Sequence, residues 1–106
     1  MPKKTLGGME IEVDEDGFIQ EPEKWTKEVA EDIAKEEADS SPMGEDNWKL
    51  VNYLRNYYLQ YDIAPPVRML TKNTSLDLKY IYKLFPKGPA AGACKIAGLP
   101  KPTGCV

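Results

Sequence analysis

Histidine is absent from this chain of 106 residues, and cysteine occurs only twice. Without histidine the chain can form neither a Ser-His-Asp nor a Cys-His catalytic arrangement. Two cysteines alone cannot fill a tetrahedral zinc site or hold an iron–sulfur cluster within one chain, so we expect no metal and no cofactor of its own. A glycine-rich phosphate-binding loop of either standard type is also missing. Most conventional enzyme sites are thereby excluded.

Long apolar runs are missing as well. No segment approaches the ~20 apolar residues that a membrane-spanning helix needs, and Met1-Pro2-Lys3-Lys4 leads into no signal-peptide core. We therefore expect a cytoplasmic location, where the reducing environment disfavours a permanent disulfide. The length and a hydrophobic content of 42% indicate one soluble globular domain. The two cysteines are thus expected to serve chemistry.

Charge is unevenly distributed along the chain. Residues 1–47 carry 15 acidic and 5 basic side chains, a net charge of −10, whereas residues 48–106 carry 2 acidic and 9 basic side chains, a net charge of +7. One interpretation is an acidic, solvated helix face beside a neutral core. The other is a basic half that faces an anionic partner or substrate.

Periodicity predicts a mainly helical protein. The alternation in Met9–Val13, a turn at 14–17 and a return strand from Phe18 predict a small N-terminal β-hairpin. Helices are predicted from Pro22 onward, over about Glu45–Tyr61, over 66–71 and 76–84, and as a last turn at 90–94. We expect a small helical bundle of residues 1–93, followed by a mobile, redox-active C-terminal arm of residues 94–106.

The segment 66–84 has the pattern of a helix-turn-helix element. Lys79 and Lys83 lie one turn apart on its second helix, which makes DNA binding one hypothesis. That helix, however, has no Arg, Asn or Gln to contact base edges, and the protein is acidic overall. A helical hairpin inside a bundle explains the same pattern.

Both cysteines belong to the C-terminal segment. Cys105 is the penultimate residue, and Cys94 lies at the base of the arm. A terminal segment with little apolar surface has little to hold it in place. Cys105 is therefore predicted to be a reactive thiol, whereas Cys94 is either its reaction partner or a small buried hydrophobe. The arm residues expected to support bending, partner contact or the thiolate are Gly98, Pro100, Lys101, Pro102 and Gly104.

Several segments resemble one known family. They are Val13-Asp-Glu-Asp-Gly-Phe18, the segment Ile63–Thr74, Leu84-Phe-Pro-Lys-Gly-Pro89, and Gly92–Val106 with its two cysteines separated by ten residues. In these the chain is similar to the DsrC family, small sulfur-trafficking proteins also called the gamma subunit of dissimilatory sulfite reductase. Only about residues 20–48 match loosely.

The resemblance implies a sulfur carrier and redox co-substrate that is not catalytic alone. Its partners would be the alpha and beta catalytic subunits of dissimilatory sulfite reductase, which hold the siroheme and iron–sulfur clusters. Cys105 would take up sulfite-derived sulfur at the siroheme, and Cys94 would resolve it to an intramolecular trisulfide. A membrane-bound thiol/disulfide reductase complex would then release sulfide and restore both thiols.

Other interpretations stay open at this point. Relatives of similar fold act as sulfur relays in transfer-RNA thiolation and keep only the penultimate cysteine, so the presence of Cys94 favours the dissimilatory branch. A DNA-binding regulator is the third alternative. A further hypothesis gives Arg55 or Arg68 a role in activating a thiolate when the arm folds back.

Overall fold

The computed structural model of this protein describes residues 2–37 and 42–101. Within these ranges the elements are, in order, β1 (Lys3–Leu6), β2 (Met9–Glu12), a 3₁₀ turn (Pro22–Lys24), α1 (Lys27–Glu37), α2 (Glu45–Tyr61), α3 (Val67–Thr74), α4 (Leu78–Leu84) and a C-terminal π-helix (Pro89–Cys94). The predicted fold class, mainly helical with an N-terminal β-hairpin, is confirmed.

The hairpin lies closer to the N-terminus than predicted. β1 and β2 pair antiparallel, with Leu6 opposite Met9. They are joined by Gly7 and Gly8, whose φ values of 58° and 78° suit a two-residue turn that twists with the strands. The prediction that residues 9–13 pair with a second strand from Phe18 was wrong, because the described chain has only an isolated bridge there, between Val13 and Ile19.

The loop after β2 is closed by one aspartate. The Asp14 carboxylate accepts hydrogen bonds from the backbone N–H groups of Asp16 and Phe18, both at 2.9 Å. Aspartate commonly organises turns in this way, by accepting from the backbone a few residues on. The loop exposes Asp16 and directs the Phe18 ring inward, where only 3% of that residue is exposed.

Helix α2 has the predicted bounds, and it ends at Asp62 in the left-handed conformation. The helix predicted from Pro22 is instead divided, because Trp25 is extended (ψ 134°) between the 3₁₀ turn and α1. This break in the helix sets the Trp25 side chain apart from the face of α1.

The helical hairpin α3–α4 also differs in detail from its prediction. Pro66 is extended and precedes α3 instead of starting it, and the helix continues to Thr74 before Ser75 turns left-handed. Asp77 then caps α4 by accepting from the Tyr80 N–H at 2.8 Å. The link to α2 is Asn47, whose amide donates to the Leu84 carbonyl oxygen at 3.1 Å.

The core gathers apolar side chains from the hairpin, the helices and the C-terminal segment. Among its fully buried large members are Leu6, Ile11, Ile33, Leu50, Leu54, Leu70, Ile81, Phe85, Ile96 and Leu99. The boundary that the sequence predicts for the arm, at Cys94, therefore falls inside packed structure. The mobility predicted for residues 94–106 stays a prediction. In the part of the chain that the structure describes, no helix is long and apolar enough to cross a membrane.

Candidate functional site

Cys94 is the last residue of the C-terminal π-helix, and its thiol is enclosed by the core. Only 1% of the residue is exposed. Burial raises the pKa of this thiol to about 12, because a thiolate would lose its hydration in apolar surroundings. Since the thiolate is the nucleophilic form of cysteine, Cys94 is unreactive near neutral pH in this conformation.

After Cys94 the helix continues to Ile96, and the chain turns at Ala97 and Gly98. The Leu99 N–H donates to the Cys94 carbonyl oxygen at 3.1 Å, and the Gly98 N–H donates to that of Lys95, also at 3.1 Å. These paired bonds, with Gly98 at φ 76°, form a Schellman motif. In this motif the apolar side chain after the glycine commonly packs back onto the end of the helix, and Leu99 occupies that position here. Both residues belong to the same buried cluster. We call residues 96–99 the C-terminal turn.

Trp25 holds this turn from the N-terminal side of the sequence. Its indole N–H donates to the Ile96 carbonyl oxygen at 2.8 Å. The ring also lies against Gly98 so closely that a Cβ there would be 2.5 Å from the Trp25 Cδ1 atom. Position 98 therefore requires glycine for two separate reasons, the backbone conformation and the space taken by the indole.

Arg55 of α2 holds the same turn from the other direction. One terminal nitrogen donates to the carbonyl oxygens of Ala97 and Gly98 over 3.4 and 3.5 Å, and the other donates to that of Pro22 over 2.6 Å. The guanidinium also stacks on Trp25, 4.9 Å from the ring centroid. Burial lowers the pKa of Arg55, although arginine stays charged at neutral pH. Arg55 thus cross-links the start of the helical region to the C-terminal turn.

Two lysines connect the C-terminal segment to the loop after β2. The Lys95 ammonium lies 5.0 Å from the Phe18 ring centroid, with only 6% of that residue exposed. Lys101 forms a 2.7 Å ion pair with Asp16 at the surface. The Lys101 hydrogen bond and charge lower the pKa of Asp16, and Asp16 raises the pKa of Lys101. An exposed pair of this kind adds little stability, so the turn depends mainly on Trp25 and Arg55.

The site residues predicted for the C-terminal segment, together with Arg55, divide into three groups. Cys94 is buried just before the C-terminal turn, Gly98 lies within the turn, and Arg55 contacts its backbone. Pro100 and Lys101 are exposed just beyond it. Pro102, Gly104 and Cys105 lie outside the described residues, and so does the expected approach of the two sulfur atoms.

The remaining candidates lie on the α3–α4 hairpin. Arg68 is exposed and lines a shallow depression together with Met69, Lys72 and Asn73. Lys79 and Lys83 are exposed on α4 and border a second depression, with Asp77 and Tyr80. The roles proposed for Arg68 in thiolate activation and for the two lysines in DNA binding stay predictions. Across residues 2–37 and 42–101, no group of three His, Cys, Asp or Glu side chains is arranged to hold a metal ion.

Sequence reasoning missed the part that Trp25 and Phe18 play at this site. Trp25 fell within the helix predicted from Pro22 and Phe18 within the predicted return strand, whereas both side chains contact the C-terminal segment. One general signal was available, because a half-buried indole N–H nearly always finds an acceptor. Nothing in the local sequence identifies that acceptor.

Comparisons of the sequence and of the structure with known proteins find the same group of relatives. The family described as DsrC like protein matches residues 5–106. The chain is 49% identical, over the full length of both chains, to the dissimilatory-type sulfite reductase subunit gamma of Nitratidesulfovibrio vulgaris. It is also 40% identical to the sulfurtransferase TusE of Escherichia coli K12, over 93% of this chain and 95% of the relative. Among solved structures, the oxidised gamma subunit of the dissimilatory sulfite reductase (DsrC) of Archaeoglobus fulgidus superposes with a TM-score of 0.87, at 50% identity and over 99% of this chain and 100% of that one.

Proposed function

This chain belongs to the DsrC family, and we propose that it is a sulfur carrier that acts as the gamma subunit of a dissimilatory sulfite reductase. The observation that carries the proposal is the match to such a subunit over the whole of both chains. The present sequence also has both Cys94 and Cys105, the two thiols that the proposed chemistry uses. The partners are then the alpha and beta catalytic subunits, which supply the siroheme and the iron–sulfur clusters.

In the proposed reaction, sulfite and the two thiols form a trisulfide that links Cys94 to Cys105. The sulfur of sulfite is reduced to the level of elemental sulfur, a four-electron change, and its oxygens leave as water. Two electrons come from the catalytic subunits, and two come from the thiols as they become linked. Reduction of the trisulfide by a membrane-bound thiol/disulfide reductase complex then releases sulfide and restores both thiols.

The burial of Cys94 supports an order for these steps. A covered thiol with a pKa of about 12 is a poor first nucleophile. Cys105 therefore receives the sulfur first, and Cys94 attacks second, after it has become exposed. In the absence of the partner the same burial protects Cys94 from oxidants.

The test is the intact mass of this protein after turnover with sulfite, an electron donor and the alpha and beta subunits. We expect a gain of one sulfur atom and a loss of two hydrogens, with the added sulfur mapped between Cys94 and Cys105 by peptide analysis. The Cys105→Ala variant is the matched control and should gain nothing. An unchanged dithiol, while the reductase demonstrably turns over, would refute the proposal.

A second candidate is a sulfur relay in transfer-RNA thiolation, and the 40% identity to the sulfurtransferase TusE favours it. Such a relay carries a persulfide on Cys105 alone. Under this function Cys94→Ala transfers sulfur normally, whereas under the first function the same variant stops at a species with sulfur on Cys105. The two functions therefore differ in one measurable product.

A further inference from the structure

We propose that Trp25 and Arg55 are positioning residues that hold the C-terminal turn as a cap over Cys94, so that this thiol reacts only when the turn is released. The turn begins two residues after Cys94, closes by the hydrogen bond from the Leu99 N–H to the Cys94 carbonyl oxygen, and places Leu99 in the same hydrophobic core as Cys94. The proposal deepens the proposed function, because it states what must move before the second thiol can attack.

The cap is held by side chains of other elements as well as by its own hydrogen bonds. Within the Schellman motif, Leu99 and Gly98 donate to the carbonyls of Cys94 and Lys95. Trp25 and Arg55 then bind the carbonyl oxygens of the next three residues, Ile96 through Gly98. Consecutive carbonyls at a helix end would otherwise face water or remain unpaired. These side chains therefore make the closed turn favourable without any help from the residues that follow it.

The two side chains that hold the cap are themselves fixed by their neighbours. Arg55 donates to the Pro22 carbonyl oxygen at 2.6 Å and stacks on the Trp25 ring. The two side chains thus form one unit between the 3₁₀ turn and α2, and both are braced against the same turn. Because the planar Arg55 guanidinium is already fixed in this way, it loses little side-chain entropy when the turn closes on it.

The contacts of the cap leave a route for its release. Trp25 and Arg55 make three hydrogen bonds to its carbonyl oxygens, two of them at 3.4 Å or longer. The burial of Ile96, Ala97 and Leu99 holds it as well. Beyond it, Pro100 is exposed and Lys101 forms the surface ion pair with Asp16. A partner that pulls on the chain after Leu99 would disrupt these contacts without unfolding α1 to α4. Local opening of this kind exposes only the few side chains of the turn, and it needs less free energy than global unfolding.

The experiment uses the full chain with Cys105→Ser, so that Cys94 is the one remaining thiol. The rate of alkylation of Cys94 by N-ethylmaleimide is measured at neutral pH, with and without low concentrations of urea. Trp25→Phe removes the indole N–H but keeps an aromatic ring on which Arg55 can stack. Arg55→Lys keeps the charge but loses the two terminal nitrogens that donate to separate carbonyl oxygens. We expect each to speed alkylation by about fivefold to tenfold, the range for one lost hydrogen bond. Tyr57→Phe, at a half-buried position of α2 whose ring contacts Tyr53 and Tyr61, is the matched control and should leave the rate unchanged.

Two further readouts separate a cap from a general loss of stability. Alkylation through local opening depends on urea much less than alkylation through global unfolding does, because only the side chains of the turn become exposed. The amide hydrogens of Gly98 and Leu99 should exchange faster in Trp25→Phe by the same factor as Cys94 is alkylated, while amides in the middle of α2 should not change.

Three results would overturn the proposal. One is alkylation of the parent protein as fast as that of an unstructured cysteine peptide. Another is a urea dependence equal to that of global unfolding in both variants, and the third is unchanged exchange at Gly98 and Leu99. These measurements use no sulfite and no reductase, so failure of the sulfur-carrier function and failure of the cap are distinguishable.

Discussion

The indole N–H of Trp25 donates to the carbonyl oxygen of Ile96 over 2.8 Å, although the two residues are 71 positions apart in the chain. The bond joins the segment before α1 to the turn that follows Cys94. Arg55 strengthens the link by stacking on the same indole and binding the next carbonyls of the turn. The position of the chain after Cys94 is therefore set by residues from the first half of the sequence and from α2.

The fit of Gly98 against Trp25 predicts a large loss of stability on substitution. Gly98→Ala places a methyl group 2.5 Å from the Trp25 Cδ1 atom and puts alanine at φ 76°. We expect the free energy of unfolding to fall by about 3 kcal/mol, of which about 1 kcal/mol comes from the backbone conformation. Gly8→Ala is the matched control, because Gly8 has a φ of 78° with nothing within 4 Å of the added carbon. Gly8→Ala should lose only the part of the unfolding free energy that comes from the backbone conformation. Equal losses in the two variants, measured by urea unfolding, would show that the indole moves aside for the methyl group.

The raised pKa of Cys94 predicts a stability that falls in alkaline solution. Folded Cys94 keeps its proton up to about pH 12, while the thiol of the unfolded chain releases it near 9.0. The unfolded state therefore binds fewer protons between these values, and the free energy of unfolding decreases as the pH rises. The full contribution is present below the unfolded pKa and is lost toward the folded one. Between about pH 8 and about pH 10 the loss due to this thiol should be about 1.4 kcal/mol.

The measurement compares two proteins that both carry Cys105→Ser, one with Cys94 and the other with Cys94→Ala. Tyrosine and lysine titrations occur in both and cancel in the comparison. The free energy of unfolding, measured with urea, should fall more between the two pH values for the protein with Cys94. If the free energy of unfolding falls equally in both proteins, the Cys94 thiol ionises in the folded protein as freely as in the unfolded chain.

The two cysteines are predicted to have different roles in sulfur transfer. After turnover with the catalytic subunits, Cys94→Ala should carry the added sulfur on Cys105 and form no trisulfide, because the second nucleophile is missing. Cys105→Ala should carry no added sulfur, since Cys94 is covered. Intact mass with peptide mapping checks both variants. Normal sulfide release by Cys94→Ala would instead favour the one-cysteine relay.

The lysines of α4 allow the DNA-binding alternative to be tested directly. Lys79 and Lys83 are both exposed, and a DNA-binding hairpin would use their charge against phosphate. We expect the double variant Lys79→Gln, Lys83→Gln to support sulfur transfer at the unmodified rate. A gel-shift assay at low salt should show no complex for the parent protein. A salt-dependent complex that the double variant loses would support a DNA-binding role.

The periodic parts of the fold could be predicted from the sequence. Apolar spacing defined α2 with its observed bounds, since every turn of that helix presents one face to the core. The turn of the N-terminal hairpin was misassigned, because two neighbouring segments both contain residues that favour turns. Gly7 and Gly8 form the tight turn of the hairpin, whereas the loop closed by Asp14 leads only to an isolated bridge. Segments rich in glycine and proline were interpreted as arm, although residues 96–99 are packed.

The sequence by itself determined the helical class, the absence of histidine chemistry and the choice of the two cysteines as reactive candidates. The tertiary structure alone decided that Cys94 is covered, that Gly98 lies against Trp25 and that Arg55 binds backbone carbonyls of the C-terminal turn. Periodicity and turn preference depend on neighbours within a few positions, and these the sequence displays directly. Burial and the long-range hydrogen bonds depend on which distant segments share the core, and this becomes defined only when the chain has packed.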